Sequence, residues 1–361
     1  MKRYLIGLAA ALLGTAMITG TGFQTASAAP ADPVSTVTLP LFGAPLIIDI
    51  TTGPGGALSN VAINSTGSTS VATHLRPNKV VFESSNIGDP TSVAKVVVKS
   101  KHGGQSVSAR AGSLADVSGD GGWSGDLFGT GVPSTVTFTI GAGTDGAPDI
   151  TNIVASTGGV VGDVKRSSGD DHEGDDDGDE QSARVSVRFT SADGLQSRTV
   201  TIKVKVETED GETQAKLSIS VSRTKGVEVD AALAVGLHTW TGTLCDNSAA
   251  SIAYTINADG SVTAGAVTPS TATVNSNDNK IDVQFSDHER VSIKVRSEDG
   301  RFKVSVKERI RCDSADPTTN VSTSIPSDDE GDGHNNDGDH HDEGKHKGGH
   351  NNDNTSKTVS G

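Results

Sequence analysis

Aromatic side chains make up only 3% of this 361-residue chain, cysteines number two, and no apolar run beyond the N-terminus is long enough to cross a bilayer. Each shortage excludes something. Few rings, and no basic stripe interleaved with them along the chain, argue against a nucleic-acid partner, which needs cations for phosphates and faces for bases. Cys245 and Cys312 lack a CxxC spacing and neighbouring ligands, so they read as a disulfide rather than a zinc or redox pair, leaving no thiol nucleophile. Closing a loop of that length stabilises by about 4 kcal/mol in the chain-entropy picture. With no later apolar span and no hydrophobic C-terminal anchor, no transmembrane segment is expected after the leader.

Catalytic signatures are missing too. There is no P-loop; Gly122-Trp123-Ser124-Gly125 lacks the spacing of a nucleophile elbow, and Asp287-His288-Glu289 lacks the second histidine of a zinc-protease helix. His288 falls at a predicted turn, and His74, His102 and His238 are scattered. The chain is expected not to be an enzyme.

What is present begins with Lys2 and Arg3, an apolar run from Tyr4 to Ile18, and Ala26-Ser27-Ala28. A basic start, a short apolar stretch and small residues before the cleavage point predict a secretory signal peptide over residues 1–28, hence a secreted, extracellular protein.

The formal net charge is −15, but it is local. The insertion 167–181 carries −8, the tail 326–361 carries −6 and the leader +2, which leaves a body near −3.

That body repeats itself. The phrases starting at Val96, Val204 and Ile293 each alternate apolar and polar residues and end in Gly103, Gly211 and Gly300, the last two preceded by Asp. Alternation with Asp-Gly between runs is the mark of antiparallel hairpins with one buried face. Trp123-Ser124-Gly125-Asp126-Leu127 matches Trp240-Thr241-Gly242-Thr243-Leu244, and Val185, Val187 and Phe189 align with Ile281, Val283 and Phe285. The first copy is diverged and has Leu39 to Phe42 where the others have tryptophan. With 43 glycines and abundant Thr, Ser and Val, the chain is expected to be all-β: three tandem antiparallel β-meander units, as small sandwiches or barrels, over 34–114, 115–226 and 232–316. The third holds the disulfide, and the acidic loop and the His/Asp-rich tail are expected to be disordered.

The unshared parts suggest cation chemistry. Asp170, Asp171, Glu173, Asp175, Asp177 and Asp179 crowd carboxylates into one loop, while His334, His340, His341, His346 and His350 lie among Asp and Asn in the tail. The loop is no EF-hand, because position 1 would be Glu173 and position 12 Arg184. Loose carboxylates bind calcium weakly, and spaced imidazoles gather around a transition metal. The expected function is a non-enzymatic secreted β-repeat protein at the cell envelope or extracellular matrix, with cation-dependent association with cell wall or polysaccharide. The alternative is an exported divalent-metal-binding protein using tail and loop.

Overall fold

The computed structural model describes residues 34–101, 103–167, 180–209, 212–312 and 317–323, so the expected signal peptide and the tail lie outside the described residues. Period-two alternation becomes strand throughout. The first copy forms β1 (Val34–Leu41), β2 (Ala44–Thr52), β3 (Leu58–Ser65), β4 (Ser68–Arg76), β5 (Lys79–Asn86), β6 (Val93–Lys101) and β7 (Gly104–Ala111). The second forms β8 (Gly119–Gly125), β9 (Ser134–Ala142), β10 (Pro148–Ala155), β11 (Gly159–Val161), β12 (Lys165–Ser167), β13 (Glu180–Thr190), β14 (Gln196–Glu209) and β15 (Glu212–Val221). Short β16 (Lys225–Gly226), β17 (Glu228–Asp230) and the single turn α1 (Ala231–Ala234) lead into the third copy. That copy forms β18 (Gly236–Thr243), β19 (Ala249–Ile256), β20 (Val262–Thr268), β21 (Thr273–Asn277), β22 (Lys280–Ser286), β23 (Glu289–Glu298) and β24 (Arg301–Ile310), and β25 (Thr318–Thr323) follows. The protein is all-β, with several antiparallel sheets.

Every copy divides in the same way, its first three strands entering one sheet and the remainder another. The first two copies share both sheets. One runs β10-β9-β8-β1-β2-β3-β25, with β25 parallel to β3; the other runs β11-β13-β14-β15-β7-β6-β5-β4, with β12 on β13 and β16 on β14. The joins are β1 against β8, with Val37 opposite Trp123, and β7 against β15, with Ala109 opposite Leu217. Ala109 pairs Val96 as Leu217 pairs Val204, so equivalent residues of the two copies face each other, as at a local twofold axis.

One apolar core fills this joint sandwich, taking Leu39, Ile48, Phe82 and Val98 from the first copy and Trp123, Phe138, Ile202 and Leu217 from the second. A separate core of Trp240, Ile252, Tyr254, Ile281, Ile293 and Phe302 belongs to the third copy and borrows Leu195 from the second. Its sheets are β18-β19-β20 and β17-β24-β23-β22-β21.

Asp299 and Gly300 both take positive φ, 48° and 75°, as a two-residue hairpin demands. The alignment of Val185 with Ile281 is shifted by two residues: Val204 pairs Ala183, whereas the equivalent Ile293 pairs Ile281. A slip of two keeps every side chain on its own face, so alternation alone does not detect it.

Candidate anion-binding faces

Alternation that buries every second side chain also fixes what the remaining ones present to solvent. In the larger sheet, Lys216 stands outward between buried Ala215 and Leu217, and Lys203 and Lys205 stand outward on either side of buried Val204. Lys205 stands opposite Lys216, Lys216 opposite Arg110, and Arg110 opposite Lys95, giving one row across β14, β15, β7 and β6. Adjacent strands lie about 4.8 Å apart, and like charges placed directly opposite destabilise a sheet.

Carboxylates offset part of the row. Glu207 bonds Arg110 at 3.1 Å and also pairs with Lys205, which pairs with Glu180 as well. Burial works against the charge on Lys205, but its hydrogen bonds to Glu180 and Glu207 outweigh this and raise its ammonium above the usual range. The bond from Lys205, with Arg110 and Lys216 nearby, holds Glu207 below the usual carboxylate range. Glu83 stands opposite Lys95 without closing an ion pair, and among the described residues Lys216 and Lys95 have no carboxylate within ion-pair distance.

The third copy builds a second basic surface by the same alternation. Val291, Ile293 and Val295 point into the core, so Arg290 and Arg296 point out, and they face Arg309 and Lys303 across the β23–β24 pair. At one end, the Asp287-His288 turn, Arg290, Arg309 and Arg311 line a cleft of about 210 Å³ with Gln284 and Ser286. Arg311 N donates to His288 O at 3.1 Å, and the neighbouring Cys312 is bridged to Cys245, with Cα atoms 5.3 Å apart, so the disulfide anchors this end. Asp282 bonds Lys280 at 2.6 Å and Arg290 at 2.9 Å. Partial burial would raise its carboxyl, but hydrogen bonds from Lys280, Ser292 and Arg290 hold it below the usual range. Arg309 and Arg311 have no such partner among the described residues.

Guanidinium and ammonium groups in rows about one strand apart can bind carboxylate, sulfate or phosphate groups repeated along a polymer. The rows carry no aromatic ring, so the base-stacking half of a nucleic-acid surface is missing from them.

Comparison with family models, curated proteins and solved structures finds no match to this chain.

The residues expected to bind cations, Asp170, Asp171, Glu173, Asp175, Asp177 and Asp179 in the loop and His334, His340, His341, His346 and His350 in the tail, all lie outside the described residues. Among the described residues, no three His, Cys, Asp or Glu side chains gather as a metal site would require. His288 sits at the β22–β23 turn, as expected, and His238 stacks on Tyr254 with ring centroids 5.5 Å apart. The expectation is of no basic stripe interleaved with aromatic rings; the structure has a basic row without rings, which sequence reasoning did not find. Lys95 and Arg110 belong to one hairpin and Lys205 and Lys216 to another, and the two pairs become one row only when β7 pairs β15. Reading the outward positions of each strand, such as Lys203 and Lys205 or Arg301 and Lys303, supplies the available signal.

Proposed function

We propose that this chain is a non-enzymatic secreted β-repeat protein that acts at the cell envelope or in the extracellular matrix by holding an anionic polysaccharide or cell-wall polymer. The observation that carries the reading is the row Lys205, Lys216, Arg110 and Lys95, where cations stand opposite one another across paired strands and carboxylates offset only part of the charge. Such a row gains from a polyanion lying across it, and the Arg290–Arg309 pair offers a second contact in the third copy. The acidic loop and tail make the association sensitive to divalent cations, which can bridge their carboxylates to the same polymer.

The test is retention of the secreted chain on purified cell walls and on an immobilised anionic polysaccharide, with and without calcium. Retention should fall as salt rises, and Lys216→Glu with Arg110→Glu should abolish most of it. No retention in any condition would sink the reading.

The alternative, an exported divalent-metal-binding protein, rests on the five tail histidines set among Asp and Asn. Isothermal titration with zinc, comparing the chain with and without residues 326–361, decides it. Equal heats would remove the tail as a metal site.

A further inference from the structure

We infer that β18 is a homotypic interface, through which the third copy of one molecule continues its sheet into the third copy of a second molecule. Two such joins already lie inside the chain. The first strands of the first two copies, β1 and β8, pair antiparallel, with Ser35 to Thr38 hydrogen-bonded against Gly122 to Gly125. Aligning Trp123 with Trp240 makes Thr239 to Gly242 of β18 the counterpart of that stretch of β8.

Local geometry supports the equivalence independently. A Cβ on Gly125 would lie 2.8 Å from the Trp123 ring, and one on Gly242 would lie 2.4 Å from the Trp240 ring, so both tryptophans fold back over the glycine two residues on. Around Gly125 the next atom is Ser35 Cβ of the paired strand, at 3.0 Å. Around Gly242 the nearest atoms all belong to Trp240.

β18 pairs β19 on one side, and among the described residues no strand pairs its other side. Open edges are ordinarily blunted with charge, proline or a covering segment. The other equivalent edge is treated in that way: β24 is paired by β17 over Arg301 to Lys303 and carries Lys307, Glu308 and Arg309 beyond it. β18 contains no Lys, Arg, Asp, Glu or Pro. Its outward-facing Leu237 is 73% exposed, and Leu233, just before the strand, is 70% exposed. An uncharged edge that carries one exposed leucine and is preceded by another, equivalent to an edge that pairs with its own counterpart elsewhere in the chain, is suited to a second copy of itself. Because β24 is covered, the pairing adds one sheet across two molecules rather than rebuilding the full two-sheet join.

Sedimentation velocity of the secreted chain over a dilution series tests this, together with amide hydrogen exchange across β18. The expected result is a reversible dimer that persists at high salt, with protection of Thr239 to Gly242 amides rising with concentration. The double variant Leu237→Lys, Thr241→Lys should weaken the dimer by about tenfold or more, because like charges then meet across the antiparallel pair. Both positions are exposed, and the buried Trp240 fluorescence serves as the check that the third copy is folded. A monomer at every concentration, or a dimer that survives the double variant with unchanged β18 exchange, would overturn the inference.

Discussion

Trp240 Nε1 donates to Oε1 of Glu308 at 2.8 Å, whereas the buried Nε1 of its counterpart Trp123 has no hydrogen-bond partner among the described residues. The difference traces to how the copies join. Glu308 lies eight residues past Gly300, and the residue eight past Gly211 is Ile219. Ile219 is buried opposite Val107 in the shared sheet, where a carboxylate would be cut off from water. In the third copy the same position is at a rim. There Glu308 accepts the indole N–H and also favours the charge of Arg198, whose guanidinium burial pushes below its usual range. Arg198 donates to Leu127 O and Ser222 O at 3.0 Å each and to Gly103 O, tying loops of the first two copies beside the third.

The two tryptophans should therefore respond differently to Phe. Trp240→Phe loses a hydrogen bond to a charged acceptor, while Trp123→Phe removes an unpaired buried N–H. The first is expected to cost about 1–2 kcal/mol more than the second in denaturant unfolding. With only two tryptophans in the chain, each variant leaves one to report the other core. Equal losses would show that the Glu308 bond contributes nothing.

Much of this architecture was legible in alternation and turn chemistry. Ile252, Tyr254 and Ile256 read as an inward face and are buried, and Cys245 and Cys312 read as a pair and are bridged. What alternation does not contain is the partner of an edge. Nothing along β7 or β15 indicates that Ala109 meets Leu217, because that contact is set by packing between copies rather than within one. The basic row was missed for the same reason, since Arg110 and Lys216 become neighbours only through that join.

Cys245 and Cys312 close a loop of 67 residues entirely within the third copy, whose core is separate from that of the sandwich. Replacing both with Ser should destabilise the third copy by about 4 kcal/mol in the chain-entropy picture. The sandwich transition should stay in place. Calorimetry is expected to show one transition moving down and the other fixed; a common shift of both would mean that the cores unfold together.

Tyr254 is buried against His238, and burial, with Asp193 adding to it, raises its phenol to about 12. An acid whose pKa is raised by folding stabilises the fold fully below its unfolded value, near 10, and that contribution is lost as pH rises toward about 12. In a chain expressed from residue 29 onward, Tyr254 is the single tyrosine, so ultraviolet phenolate absorbance follows it alone. The expected titration is late and coincides with unfolding of the third copy. A midpoint near that of free tyrosine, with the fold intact, would contradict the burial.

Lys216 distinguishes a binding row from an incidental one, because the two make different forecasts for retention while agreeing on stability. It stands between Lys205 and Arg110 with no carboxylate at ion-pair distance among the described residues, and its exposed side chain contributes little packing. Lys216→Gln removes repulsion from both sides and should leave stability unchanged or raise it by up to about 0.5 kcal/mol. If the row holds a polyanion, the same change should lower retention on an anionic polysaccharide and flatten its dependence on salt, since one fewer cation is matched by the polymer. A variant that is as stable or more stable and binds less well marks a residue kept for binding against the interest of the sheet. If retention is untouched while stability rises, Lys216 plays no part in binding, and the polymer contact must lie elsewhere, with the Arg290 and Arg309 pair the next surface to alter.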